Sequence, residues 1–447
     1  TTVFILHLSI APQIVFTVVF LGATLLLAWR NFNGGMHPVF LFISLLCLFQ
    51  GGGLLAFLVS SGKVDPMKIY TAEVPFDVPD WVQSEALLLL VFSALFLYVL
   101  ARLFDGPVHF EPPANPKLLP FITAILLISL PFHFWKNYEY LIYVRTHGGY
   151  LAIFRSDEHI TEVGFFVRAM SQLCSSAFVL YFVYARRGWK MLILCSAYFG
   201  ISIVELMIGL RGRVMLLFIC FLFLWKLKQN RGFRLRGLVV LLVAFVALSQ
   251  LIATFRENKT QSVEASEVPQ IFLSSQGVSL SVTEAAIAYR SQFSPYAWNY
   301  LRHGIASIFG AEAMPQAMYP QGQVLDVDTT MFLNHTGLTL GFGTGGSYLA
   351  EGYVFGGAIG VLLETLFIGV ALIVIARNLT GWRTAFSWTI MLSFLYLPRA
   401  NLTTSLSTIA HSCAGIFAVF VLSTAMQKAS ELLHFASGAA EPSTPAA

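Results

Sequence analysis

From Gly346 to Ala376 the chain reads GSYLAEGYVFGGAIGVLLETLFIGVALIVIA, and only Glu351 and Glu364 in that run carry charge. A helix needs roughly 20 apolar residues to cross a bilayer core, so this stretch reads as a membrane span. Similar runs lie on both sides, at 8–29, 38–60, 84–104, 118–135, 161–185, 189–209, 213–226, 237–255, 384–398 and 402–426. That makes about eleven spans by length and apolar content. The run 213–226 is short, and Arg211-Gly212-Arg213 just before it is drawn toward the membrane. Of all 447 residues, 57% are hydrophobic and only 11% charged. A soluble domain has about a quarter charged. Mean hydropathy is +0.72. These values exclude a water-soluble enzyme, a disordered chain and a nucleic-acid binder. The expected fold class is an all-α polytopic membrane protein.

Cys47, Cys174, Cys195, Cys220 and Cys413 all lie inside apolar runs, with no CxxC. No disulfide framework and no thiolate metal site are expected. The first residues are apolar and lack a basic leader, so the start reads as a span rather than a signal peptide.

Orientation follows from the cations. One set of alternate loops holds Arg30, Arg102, Lys117, Arg186, Arg187, Lys190, Lys226, Lys228, Arg231, Arg234, Arg236, Arg377, Arg383 and Lys428, against Asp105, Glu111, Glu431 and Glu441. This set is expected in the cytoplasm, with the N-terminus outside and the C-terminus inside. The other face carries the loops 61–83, 136–160 and 256–345. The last is too long to be structureless. Within it, Val282 to Tyr300 alternates at helical spacing and is expected to form an interfacial amphipathic helix. The chain thus divides into eight spans over 1–255, a periplasmic loop with short amphipathic helices over 256–345, three spans over 346–430, and a cytoplasmic tail 431–447. The tail is rich in Ala, Pro and Ser and is expected to be disordered. No internal repeat is visible.

On the outward side of the second half the cations are Arg211, Arg213, Arg256, Arg290, Arg302 and Arg399, against a single Lys259. Arginine is preferred where a planar fork must grip phosphate or carboxylate. Interfacial snorkelling and loop ion pairs explain any one of these residues. For the set, an anion site is the better reading, most simply for a lipid pyrophosphate. Glu205 stands about two turns before Arg211 and is expected to pair with an arginine. Glu351 at the mouth of its span is a functional candidate. Glu364 and His411 are expected to be satisfied core residues that contact each other.

Several motifs tempt. Gly341-Phe342-Gly343-Thr344-Gly345-Gly346 matches GxGxxG by letter, but it opens no βαβ unit, so a dinucleotide site is excluded. What remains is permissive backbone before a helix start, which suits an anion or a hinge. Asp326-Val327-Asp328 is a DxD, a weak metal signal. His335, in Asn334-His335-Thr336-Gly337, is either a hydrogen-bonded loop residue or a base, since imidazole takes a proton near neutral pH.

Phe293-Ser294-Pro295, Asn334-His335-Thr336-Gly337, the Ser-Tyr-Leu-Ala-Glu-Gly helix start at 347–352 and the Leu-Arg-Gly-Arg turn at 210–213 resemble the Wzy-type O-antigen polymerases. The span count and the late periplasmic loop agree over nearly the whole chain. The resemblance implies a GT-C type membrane glycosyltransferase of the bacterial inner membrane. It would move a growing glycan from undecaprenyl pyrophosphate onto a new lipid-linked repeat unit, without metal or other cofactor. A chain-length regulator and a flippase are the implied partners. Fixed arginines would stabilise the leaving pyrophosphate. His335 would take the acceptor proton, with Glu351 as its competitor. An O-antigen ligase type transferase and a transporter of anionic lipid-linked glycans are the other readings. A transporter often shows repeats and mid-membrane charges, whereas here the arginines gather at one face and no repeat is visible.

Overall fold

The structure, a computed structural model, describes residues 9–60, 78–104, 108–147, 163–186, 188–208, 211–234, 236–237, 268–309, 320–339 and 343–438. Among these residues there is no strand, only an isolated bridge between Glu111 and Thr380. Apolar runs in a bilayer must satisfy every backbone group internally, so they fold as helices. In chain order these are α1 (Ile10–Asn31), α2 (Pro38–Phe49), α3 (Gly52–Val59), α4 (Asp80–Phe104), α5 (Leu119–Thr146), α6 (Phe165–Tyr184), α7 (Trp189–Ile208), α8 (Arg211–Lys228), α9 (Val268–Gln276), α10 (Val278–Ala288), α11 (Ala297–Ile308), α12 (Leu325–Leu333), α13 (His335–Thr339), α14 (Tyr348–Arg377), α15 (Arg383–Phe394) and α16 (Leu402–Gly438).

Among the described residues, eight helical stretches are long and apolar enough to cross a membrane, or nine if the α2–α3 pair, bent by 55°, is one span. The span expected at 237–255 falls almost wholly outside the described residues. The helix α8 has charge at both ends, with Arg211, Arg213, Lys226 and Lys228, and α15 has only 12 residues. The helix α5 continues past 135 to Thr146, into the expected 136–160 loop. The helix α16 runs on to Gly438, so the first part of the expected tail is helical.

Two expectations need correction. The segment Val282 to Tyr300 is not one interfacial helix. Ser279 through Ile287 are all buried, because α10 packs among other helices, and α9–α10 is apolar enough to count among the candidate spans. The helix breaks at Tyr289, and the amphipathic piece is α11. Second, the run 346–376 is not one straight span. Gly356 and Gly357 leave helical geometry, with φ +62° and ψ −147° at Gly357. Beyond them the chain doubles back: a Cβ at Gly352 would lie 2.9 Å from Val361 Cα, and one at Gly360 would overlap the Gly352 carbonyl. The short first arm starts inside the bundle, where fully buried Tyr348 meets Phe42 edge-on at 5.7 Å.

The core is aromatic. Trp388 is fully buried against Phe182, and Phe178 stacks on Tyr198 at 3.9 Å. The cysteines are free, and Cys174, Cys195 and Cys220 are buried. The basic loops gather at one end of the bundle. Lys228 donates to the carbonyls of Phe182 and Ala185, Arg377 to that of Phe104, Phe233 N to Gly34 O at 2.9 Å, and Asn115 to Gln427 at 3.2 Å.

Candidate functional site

At the other end, helix breaks from distant parts of the sequence interlock. Gln50, between α2 and α3, is fully buried. Its Nε2 donates to Ser347 Oγ at 2.8 Å and to the Pro398 carbonyl at 2.7 Å, and its Oε1 accepts from Thr283 Oγ1 at 3.4 Å. At the α9–α10 break, Gly277 lies so close to Gly52-Gly53 that a Cβ there would overlap Gly53 N. Only glycine lets two backbones approach this closely. Ser347 caps α14, accepting from Leu349 N at 3.1 Å, while its own N–H donates to Asn401 Oδ1 at 3.0 Å.

Arg399 stands at the centre of these breaks. It ends the 3-10 turn Leu397–Arg399 between α15 and α16. Its backbone carbonyl accepts from Gly346 N at 3.3 Å, and its Nη1 donates to Gln276 Oε1 at 3.1 Å. The half-buried guanidinium lies 5.6 Å from the Phe49 ring centroid. Cation–ring contacts contribute about 0.5–2 kcal/mol, so the fork is held by packing as well as hydrogen bonding. Tyr396, one turn earlier, lies 3.5 Å from where a Cβ on Gly212 would sit. The backbone of the Arg211-Gly212-Arg213 turn therefore reaches the Arg399 turn. The side chains of Arg211 and Arg213, and all of Arg256, lie outside the described residues.

The other candidates are spread out. Arg290 is exposed at the tip of the α14 hairpin, where its Nε donates to Tyr353 O at 3.0 Å beside Gly357. No contact joins it to Arg399 among the described residues. Arg302 is exposed on α11. His335 is exposed as the first residue of α13. It has no contact with these arginines among the described residues. Glu351 is buried, and its oxygens accept from the backbone N–H groups of Leu402 and of Thr403, the latter at 3.0 Å. A carboxylate there complements the N-terminal end of the α16 dipole. Glu364 comes from the second arm of α14, with an oxygen 2.9 Å from a Cβ built on Gly352. His411 instead pairs with Ser407 at 3.1 Å, so the expected Glu364–His411 contact does not form among the described residues. Nor does Glu205 meet an arginine there. It accepts from Asn137 at 3.3 Å and approaches His133 at 3.9 Å.

The DxD serves the loop. Asp328 Oδ2 accepts from Tyr300 Oη at 2.6 Å and Gly322 N at 2.8 Å. The Asp326 carbonyl accepts from Thr330, whose hydroxyl pairs with Thr344 at 2.9 Å and so ties α12 to the Gly-rich segment. Burial pushes the Asp326 carboxyl up to about 6 and raises Asp328 as well; burial, with the Asp328 carboxylate second, holds the Tyr300 hydroxyl well above the phenol range. Among the described residues no group of three or more His, Cys, Asp or Glu could hold a metal ion.

The family model of the O-antigen polysaccharide polymerase Wzy matches residues 1–429. The chain belongs to that family. No curated protein and no solved structure matches it. Wzy membership makes it a multi-pass transmembrane glycosyltransferase of O-antigen polysaccharide biosynthesis, acting on lipid-linked oligosaccharide repeat units. The polar residues that bind this candidate site together, Gln50, Gln276, Thr283, Ser347 and Asn401, escape a reading by charge. Their signal is punctuation: Gln50-Gly51-Gly52-Gly53 and Gln276-Gly277 interrupt apolar runs.

Proposed function

We propose that this chain transfers a growing glycan from undecaprenyl pyrophosphate onto the end sugar of a new lipid-linked repeat unit. The reaction takes place at the periplasmic face of the bacterial inner membrane, in one inverting, metal-independent displacement. The observation that carries this reading is Arg399, a braced guanidinium where the starts of α8, α14 and α16 come together. The acceptor hydroxyl forms a bond to the donor's anomeric carbon as the bond to the pyrophosphate oxygen breaks. Negative charge grows on the pyrophosphate, and a fixed donor there is worth about 10²–10³ in rate. Arg399 is that donor, joined by Arg211 and Arg213 from the α8 turn, with Arg256 and Arg290 as further members. Asn401 Nδ2, buried without a partner among the described residues, adds a neutral donor. His335 takes the hydroxyl proton. Glu351 is the brace that holds α16, and with it the Arg399 turn, against the α14 hairpin.

Purified protein in nanodiscs, given lipid-linked repeats, should give products longer than the starting unit, with inverted anomeric configuration and undiminished by EDTA. Arg399→Lys should lose most of that extension, because a point charge does not reproduce the fork. Transfer only to a lipid A–core acceptor would favour a ligase, and movement of glycan across the disc without extension would favour a transporter. Retention of configuration, or loss on chelation restored by a divalent ion, would overturn the mechanism.

A further inference from the structure

The outer face of α11 belongs to neither the hub nor the bundle. Tyr300 and Gly304 form its inner face. Both are buried, with Gly304 packed directly on Thr403, and Ser407 Oγ donates to Ser307 O at 3.1 Å. Thr403 to Ser407 and Gly304 to Ser307 advance together, so α11 follows the first turns of α16. The opposite stripe, Trp298, Arg302, Ile305 and Phe309, falls at helical spacing. It is open, with Trp298 77% and Phe309 85% exposed.

The depth of this stripe follows from α16. Gln427 meets Asn115 at the basic end of the bundle. About 30 Å of helix separates it from Ser407, which matches the hydrocarbon thickness of a bilayer. Ser407, and with it Ser307, therefore lies near the far boundary of the hydrocarbon. Exposed Trp81, Trp135 and Phe165 ring the same end of the bundle, as interfacial aromatics do. Ile305 and Phe309 then sit at the edge of the acyl chains, and Trp298 lies nearer the water.

We propose that the Trp298–Arg302–Ile305–Phe309 face is immersed in the outer leaflet, with the Arg302 guanidinium on a phospholipid phosphate. An arginine one turn from an exposed tryptophan at headgroup depth lies where lipid phosphates are densest. The surface anchors α11, and through the Tyr300–Asp328 bond it anchors the α12 segment that precedes His335. Arg302 then belongs with the lipid rather than with the substrate arginines.

The test uses the full chain in nanodiscs of phosphatidylglycerol or of a galactolipid that lacks phosphate. Spin labels on cysteines placed at 305 and 309, with the native cysteines replaced, should be more accessible to oxygen than to an aqueous nickel chelate. Where replacing the cysteines prevents folding, bromolipid quenching of Trp298, read as wild type minus Trp298→Phe, gives the same answer. Arg302→Gln should move the 305 label toward water in phosphatidylglycerol and leave it in place in galactolipid. Labels open to the nickel chelate would overturn the proposal, as would labels shielded from both reagents, the sign of a protein partner. An Arg302→Gln variant with unmoved labels but several-fold higher KM for the donor would place Arg302 on the substrate pyrophosphate instead. Depth is read without turnover, so failure of the polymerase reading would leave this result intact.

Discussion

Glu351 and Asp328 show how far a residue's role depends on partners the sequence does not display. Glu351 at a span mouth reads as a possible base, yet its oxygens are engaged by Leu402 and Thr403 across 51 residues of chain. Hydrogen bonds to a buried charged group contribute about 1.5–3 kcal/mol each. Glu351→Gln should therefore lower the melting temperature in detergent and reduce yield, while kcat per folded molecule falls far less than the roughly 10²–10⁴-fold expected for loss of a base. A fully folded Glu351→Gln with no turnover would restore it as the base, and His335→Ala, expected to bind donor but not extend it, is the companion variant. Asp326 gives a pH signature. Burial raises its carboxyl from 3.8 to about 6, so the native state holds the proton more tightly than the unfolded chain does. That contribution is fully present below about pH 4 and is lost as pH rises through about 6. Above that pH an ionised Asp326 costs up to about 3 kcal/mol. Asp326→Asn should therefore melt above wild type at pH 7.5 and level with it at pH 4, whereas Asp328→Ala should melt lower at both, because Tyr300 and Gly322 lose their acceptor. A divalent ion that raises the wild-type melting temperature but not that of either variant would argue for a metal at the DxD.

At the scale of elements, hydropathy located seven of the eight candidate spans among the described residues, left out α9–α10, and missed the reversals. An average over a window responds to composition and is blind to direction, so Tyr348 to Arg377 reads as one helix although the chain turns back at Gly356-Gly357. The same blindness made Val282 to Tyr300 look interfacial. Its polar positions Thr283 and Glu284 are buried among other helices rather than facing water. The legible sign was the glycines. Gly357 adopts φ +62° with ψ −147°, a region that side chains enter at a cost of about 1–3 kcal/mol. Gly360 has no room for a Cβ against the Gly352 carbonyl. Gly360→Ala must push the two arms of α14 apart, moving Glu351 off Leu402 and Thr403 and loosening the Arg399 turn. The expected outcome is a protein that inserts in the membrane but is cleaved readily by protease near residue 350 and does not extend glycans. Gly22→Ala, where a Cβ would meet nothing within 4 Å, is the control and should behave as wild type. Equal protease resistance in the two variants would mean that the hairpin is not closed as described.

For the whole molecule, the charge asymmetry along the sequence and the three-dimensional arrangement sort the loops alike. Segments chosen only for their lysines and arginines come together: Phe233 binds Gly34, Arg377 binds Phe104, and Lys228 binds the end of α6. The sequence groups Arg399 with the arginines of the α8 turn on one face, and the structure brings the Gly212 backbone against Tyr396. Sequence gives side of membrane and not distance, so it does not show that Arg290 stands at the hairpin tip and Arg302 on α11, neither in contact with Arg399 among the described residues. What remains is the number of crossings between Arg231 and Gln323. The candidate span α9–α10 lies between them, as does the apolar run 237–255. One full crossing puts the two residues on opposite sides, and two put them on the same side. Arg231 is tied to the basic end through the neighbouring contacts of Gly232 and Phe233 with Asn33 and Gly34. Gln323 follows Gly322, which donates to Asp328, and Asp328 accepts from Tyr300 on the helix that packs on Thr403, far along α16 from Gln427. The two residues therefore stand at opposite ends of the bundle, which requires an odd number of full crossings between them. In intact cells with a permeabilised outer membrane, a membrane-impermeant maleimide should label a cysteine at 323 and not one at 231, with 231 reacting only after lysis. Labelling of both from outside would mean an even number of crossings and would move the basic loops to the periplasm. Labelling of 231 alone would invert the whole chain and with it the face on which Arg399 meets its substrate.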